Sequence, residues 1–320
     1  MTFADEAFQG TPERPDLSTA HAPALSIVVP TFRREDFLPP LFQAVAAQIG
    51  TVAVPVELVL VDNSPEGSAR AVPAPDFVRY IHEPRSGVAH ARNRGVAEAR
   101  GGHVIFLDDD ETPAPGWLVA FADAAAHGIR ASFGAVEPFY PQDPPPALRA
   151  PLDRVFSRRL SAAPGAEVQH LRAYLGSGNS MFSRATLALV DPPFDTAFNA
   201  GGEDVWLFRQ LVDRHGVPMV WRPDALVHEI VPPHRASLSF LRHRRFSDGQ
   251  LRCLVESDAG GLRAAGRVAL WMAVGATQLV VLGLAAILTR PFAQARSIRY
   301  RLAATGGAGK LLWWWRKVRA

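Results

Sequence analysis

"HVIFLDDDETPAPGW", residues 103–117, decides how the chain is read. It opens as an apolar run of strand length and then places Asp108, Asp109, Asp110 and Glu111 side by side. Clustered carboxylates repel one another, so a fold gathers them only around something positive. Acids at the end of a buried strand suit a hard divalent cation, Mg²⁺ or Mn²⁺, which takes oxygen ligands and retains waters and substrate phosphates. On an extended segment the D-x-D spacing predicts that Asp108 and Asp110 point the same way. Asp110, Glu111 or Thr112 would equally serve as N-cap to a helix starting at "PAPGW".

Outward from this stretch, short β-rich runs alternate with helical patterns. "LSIVVPTF" (25–32), "VELVLVDN" (56–63), "VRYIHEP" (78–84) and "ASFGAVEPFY" (131–140) read as strands. "EDFLPPLFQAVAAQI" (35–49), "GVAHARNRGVAEAR" (87–100) and "GWLVAFADAAAHG" (116–128) read as helices. Such alternation predicts an α/β fold, a mainly parallel sheet flanked by helices. Ligands of these sheets bind beyond the C-terminal strand ends, where Asp62 and Asp108–Asp110 both fall. No G-x-G-x-x-G follows the first strand in "VVPTFRR" (28–34), which argues against a dinucleotide-binding Rossmann domain. "PQDPPPALRAP" (141–151) reads as a loop or hinge. In "FNAGGEDVWLFRQLVDRHG" (198–216), Glu203 and Asp204 occupy the first turn of a predicted helix, where acids complement the helix dipole.

Charge divides the chain. Residues 1–228 hold 19 Arg against 27 Asp and Glu, whereas residues 229–320 hold 15 Lys and Arg against four acids. The body is acidic and the tail basic, as contact with an anionic membrane surface or nucleic acid would favour. A single cysteine, Cys253, excludes an intramolecular disulfide framework and a thiolate metal cluster. The predicted organisation is a leader over 1–24 without a secretory pattern, a catalytic domain over 25–256, and a hydrophobic helical tail over 257–320. In that tail, residues 268–288 carry no charge and are long enough to cross a bilayer. The "LLWWWRKVRA" that closes the sequence pairs aromatics with basic residues, as interfacial anchors do. Its aromatics cluster together and do not interleave with the charges, which speaks against nucleic acid.

The ordered segments "SIVVPTFRR" (26–34), "VDNSPEG" (61–67), "SGVAHARNRGVAEARGGHVIFLDDDETP" (86–113), "GSGNSMFSR" (176–184) and "GGEDVWLFRQL" (201–211) together resemble the family 2 glycosyltransferases of the GT-A fold. The resemblance implies an enzyme that transfers a sugar from a nucleotide diphosphate sugar, usually with inversion. It implies Pro30, Thr31, Phe32 and Asp62 around the nucleoside, Arg92 beside the base, and Asp108 and Asp109 on the donor. Asp110 would hold Mg²⁺ or Mn²⁺ on the diphosphate, joined by His228. Arg244 and Arg245, with His234 and Arg235, would clamp diphosphate oxygens or face anionic lipid. Asp204 would be the general base and Glu203 would touch the acceptor, with Gly178 and Asn179 in a close-packed turn beneath it. The apolar tail suggests a polyprenyl-linked saccharide acceptor, membrane lipids as partners, and residence on the cytoplasmic face of the inner membrane. Two rivals are a nucleotidyltransferase of similar fold and a non-catalytic nucleotide-sugar-binding scaffold. The first normally wants a Gly-rich loop after the first strand, and the second would not need the metal acids and Asp204 together.

Overall fold

The computed structural model describes residues 24–199 and 201–315. The expected leader, but for residue 24, and the closing basic residues 316–320 lie outside the described residues. From its start the chain winds β1 (Leu25–Thr31), α1 (Leu38–Ile49), β2 (Val56–Asp62), β3 (Val78–His82), α2 (Val88–Glu98) and β4 (His103–Phe106). These strands pair in parallel in the order β3-β2-β1-β4, with Thr31 opposite Asp62. Pleating sends alternate residues to opposite faces. Ile27 and Val29 pack with Leu41, Phe42 and Val45 of α1, while Val28 packs with Ala89 and Ala91 of α2. Both faces are therefore covered, and only the strand ends remain open to a ligand.

The second half runs β5 (Glu111–Pro113), α3 (Trp117–Ala126), β6 (Ala131–Phe139), α4 (Pro146–Phe156), β7 (Ser180–Ser183), α5 (Arg184–Leu187), α6 (Glu203–Asp213) and β8 (Val220–Ile230). The eight-stranded sheet continues β4-β7-β6-β8-β5. Here β7 is antiparallel to both β4 and β6, and β5 is antiparallel to β8. The sheet is mainly parallel, as expected, for β6 also pairs with β8 in parallel, and β7 and β5 are the strands that run against it. β7 fills the gap between β4 and β6 from the opposite direction, after the chain has travelled out along residues 140–179.

Two local expectations change. α4 begins inside the segment expected to be irregular. Its Pro146 sits in the first turn, where the missing N–H has no partner to lose, and Leu148, Leu152 and Phe156 form a buried stripe at helical spacing. The acids after β4 do not cap a helix either. α3 starts after Gly116 without a side-chain cap, and Glu111–Pro113 pair with Val227–Glu229 of β8.

The remaining helices are α7 (Leu238–Asp258), α8 (Gly261–Thr277), α9 (Gly283–Thr289) and α10 (Gln294–Leu311), with a wider π turn, Gln278–Leu282, making α8 and α9 one continuous rod. α10 lies close along α7. A Cβ at Gly249 would strike the Gly306 carbonyl, and one at Gly309 the Phe246 carbonyl, so glycine is required for this approach.

Candidate active site

Asp108–Asp110 do not continue β4 as an extended segment. They form a turn closed by Glu111 N–H donating to the Asp108 carbonyl at 3.1 Å, while Glu111 Oε2 accepts from Asp108 N–H at 2.9 Å. The turn splits the acids into two poles, which corrects the expectation that Asp108 and Asp110 face one way.

At the first pole stands Arg92, carried by α2 and buried. It donates to Asp108 Oδ1 at 3.1 Å and to Glu203 Oε1, and its guanidinium lies 5.8 Å from the centre of the Phe194 ring. Burial works against the Arg92 charge, but Asp108, Glu203 and Asp204 more than offset it and push its pKa up. Glu203 is pushed up to about 7, chiefly by burial and then by Asp204 beside it. Asp204 is half-buried, and its Oδ2 faces the Ser177 N–H at 3.4 Å. Three buried polar atoms at this pole, Arg92 Nε, Glu203 Oε2 and Ser177 Oγ, have no hydrogen-bond partner. Unpaired buried polar atoms are unfavourable in a fold, and here they offer bonds to something the chain does not supply.

At the second pole Asp109 and Asp110 share Arg34, at 2.7 and 2.9 Å, and Thr31 Oγ1 donates to Asp109 at 2.8 Å. Arg235 reaches Asp110 at 2.6 Å and Glu229 at 3.0 Å. Its guanidinium sits over the rings of Phe156 and Phe240, 5.0 and 5.6 Å from their centres, and those rings stack on each other. α4 and α7 thereby set the height of Arg235. Burial first, and then Asp110, raise Asp109 to about 6 against the opposing pull of Arg34. Glu229 is raised to about 7 by burial and then by Asp110.

Beneath both poles lies Arg158, buried and donating to the carbonyls of Gly134, Gly176, Gly178 and Asn179 at 2.7–2.8 Å. Its charge acts on Glu111, Asp108, Asp204 and Glu229 together. It holds the 176–179 turn, which runs between Asp108 and Asp204. A Cβ at Gly178 would lie 2.5 Å from Asp108 Oδ2, and one at Gly176 would lie 3.9 Å from Asp204 Oδ2.

The structure thus brings Arg92, Asp108, Glu203, Asp204 and Gly178 together, and Thr31, Asp109 and Asp110 beside them. Pro30 ends on the same edge, with Phe32 exposed just after it. Other expected residues have different surroundings. Asn179 is fully buried: it accepts from Trp117 Nε1, donates to the Ala135 and Ala225 carbonyls, and takes a positive φ of 52°. That corrects its expected place against the acceptor, for it ties β6 and β8 to α3. Asp62 is fully buried too, its oxygens taken by Ser64, Ala69 and Tyr80 at 2.7–3.0 Å, so it shapes the loop after β2. Arg244 and Arg245 pair with Asp248 on their own helix, and Arg244 also lowers the proton affinity of Glu229. His228 lies opposite Thr112 on β8, one residue before Glu229, and strand alternation turns it to the other face from Glu229.

Arg34, Arg158, Ser177 and Glu229 were not singled out from sequence. Glu229 follows His228 directly, and Arg34 ends "TFRR", so position alone could have flagged both. Nothing in "SRRL" distinguishes buried Arg158 from exposed Arg159.

Among the described residues no group of three or more His, Cys, Asp or Glu converges into a metal cage. The donors at the second pole are oxygen-only, as a hard ion takes. But Asp109 has both oxygens bonded and Asp110 Oδ2 accepts from Arg34 and Arg235, which leaves Asp110 Oδ1 as the carboxylate oxygen able to meet an ion brought in on phosphate oxygens.

The model of glycosyl transferase family 2 matches residues 26–187. Succinoglycan biosynthesis protein ExoM of Rhizobium meliloti (strain 1021) is 32% identical over 294 residues, 89% of this chain and 91% of that protein. The chain belongs to glycosyl transferase family 2. This family 2 glycosyltransferase is also 34% identical, over 103 residues, to a dolichol-phosphate mannosyltransferase of Mycosarcoma maydis, covering 29% of this chain and 35% of that one. Its fold superposes on a mannosyltransferase of Pyrobaculum calidifontis, solved with GDP-Man and Mn²⁺, at a TM-score of 0.54 and 20% identity, covering 92% and 88% of the two chains. The architecture is therefore GT-A, and the expectation of a glycosyltransferase holds.

Proposed function

We propose that this glycosyltransferase extends a polyprenyl-linked saccharide during polysaccharide assembly, with inversion, at the cytoplasmic face of the inner membrane. One observation carries the mechanism: the acids are divided into an Arg92-centred pole with unpartnered polar atoms and an arginine-neutralised pole one turn away. Direct inversion needs this division, because base and leaving group act on opposite faces of the anomeric carbon.

At the second pole, Asp110 would hold Mg²⁺ or Mn²⁺, which when bound neutralises charge on the leaving diphosphate. Arg34 and Arg235 add fixed positive charge there, and Arg244 and Arg245 extend it along α7. Pro30, Thr31 and Phe32 line the nucleoside side, and Asp109 braces Thr31 and Arg34. Asp62 supports the nucleoside side by shaping its loop. His228, expected to join the metal, lies on the face of β8 opposite Glu229 and takes no part in holding the diphosphate. At the first pole, Asp108 and Arg92 face the sugar. Asp204 takes the proton of the acceptor hydroxyl as its oxygen bonds to the anomeric carbon and the bond to the diphosphate breaks. Glu203 Oε2 and Ser177 Oγ orient that hydroxyl, over the turn that Gly178 keeps close.

The similarity to a succinoglycan biosynthesis protein supports a polysaccharide product. The test is release of nucleoside diphosphate from a panel of nucleotide sugars with lipid-extracted acceptor and Mn²⁺ or Mg²⁺. Donor binding without release under every combination would restore the scaffold reading.

A further inference from the structure

The continuous helix Gly261–Thr289 has a mean hydropathy of 2.0 over its most apolar window, of which 11% is buried, and it passes as a membrane span by length. Both of its ends are nevertheless fastened to the catalytic body. Near the start, Arg267 donates to Glu256 at 2.7 Å, and Glu256 pairs with Arg209 of α6 at 3.4 Å. Near the finish, Ser297 Oγ donates to the Ala286 carbonyl at 2.7 Å, and the adjoining Ile298 and Leu302 are buried against Leu148, Leu152 and Phe156 of α4. Arg267 and Ala286 are about 29 Å apart along a helix, as long as the hydrocarbon core is thick, about 30 Å. A crossing rod would carry α4 and α6 across the bilayer beside it.

The flanking helices agree. α7 and α10 run alongside the rod, bearing Arg242, Arg252, Arg296, Arg299 and Arg301. Midway along the apolar stretch, Lys310 Nζ donates to Gln278 Oε1 at 2.9 Å. Each such charge at a bilayer centre is strongly disfavoured. The outward face is by contrast apolar: Leu270, Val280, Leu284 and Ile287 are 57–69% exposed, and Phe292 beyond them is 90% exposed. At the far end a cavity of about 300 Å³ lies between Gly283, Ala286, Ile287, Arg290 and Arg301, giving two guanidinium groups to a headgroup phosphate.

We propose that the rod does not span: it lies in the plane of one anionic leaflet, sinking its Leu270–Ile287 face while the arginines of α7 and α10 stay at headgroup level. This rests on the membrane association proposed above, and it makes the catalytic body ride on the surface. α10 links the Ala286 end to the start of α7, where Ile298 and Leu302 cluster with Leu238, Phe240 and Leu241 a few residues after Arg235, so the second pole is held close to the lipid surface.

The test uses the full chain with Leu270→Cys, Val280→Cys or Ile287→Cys, each labelled with an environment-sensitive fluorophore on anionic vesicles containing lipids brominated at known depths. Native Cys253 is buried, its thiol pushed up to about 11 by burial, and stays unlabelled. In-plane placement predicts the same depth at all three sites, about 5–10 Å into the headgroup boundary. A depth peaking at position 280, near the bilayer centre about 15 Å down, would overturn the proposal and leave membrane association standing. Absence of quenching at every site would defeat both.

Discussion

Arg92 donates to Glu203 across 111 residues of chain while its other nitrogen holds Asp108. This bond fastens α6, and with it Asp204, to the turn that follows β4. Replacing Arg92 with Ala leaves Glu203 buried without its partner. Urea unfolding at pH 8 should show a loss of about 3–5 kcal/mol. The loss should shrink at pH 5, where Glu203 takes up a proton.

Glu203 itself sets a pH dependence. Burial raises it to about 7, so the folded chain keeps a proton there that the unfolded chain releases near 4.5. Between those values the native state binds more protons, and this group's contribution to stability falls as pH rises. Compared with Glu203→Gln, the wild type should lose stability progressively from about pH 4.5 to about 7 and run parallel to the variant above that range. Paired denaturation curves at half-unit intervals check this, and a constant difference across the range would refute it.

Gly178→Ala separates site geometry from stability. The added methyl meets Asp108 Oδ2 at 2.5 Å, and that carboxylate is 37% exposed and able to swing aside. The melting temperature should stay within a few degrees of wild type, while donor KM rises because Asp108 has left its position. Unchanged KM would remove Asp108 from the donor.

Asp110→Asn should abolish stabilisation by Mn²⁺ plus nucleoside diphosphate in a thermal-shift measurement. It should lower kcat by about 10²–10³-fold, as loss of one electrostatic stabiliser does. Retained metal response would place the ion elsewhere.

Much of this was legible in the sequence. Strand-length apolar runs ending in acids located the edge of the sheet, because burial on both faces leaves a clear pattern. Family resemblance carried Asp204 and Glu203 to the same cleft as Asp108. The split of the acid cluster was not legible, since it depends on the turn at Asp108–Glu111, whose local sequence also suits an extended run or a cap. Arg158 was invisible for a similar reason. It is buried because the Gly134 carbonyl and three carbonyls of the 176–179 turn converge on it, and no local pattern records that. Asn179 reads as part of a close-packed turn beneath the acceptor, yet its positive φ and three side-chain bonds place it in the core. α4 was missed because prolines mark a helix start as readily as a loop.

Single-turnover kinetics of Asp204→Asn, with donor affinity measured in parallel, test the central claim most directly. The account predicts donor binding within about twofold of wild type and sugar transfer slowed by about 10²–10⁴-fold. Transfer at the wild-type rate would contradict it.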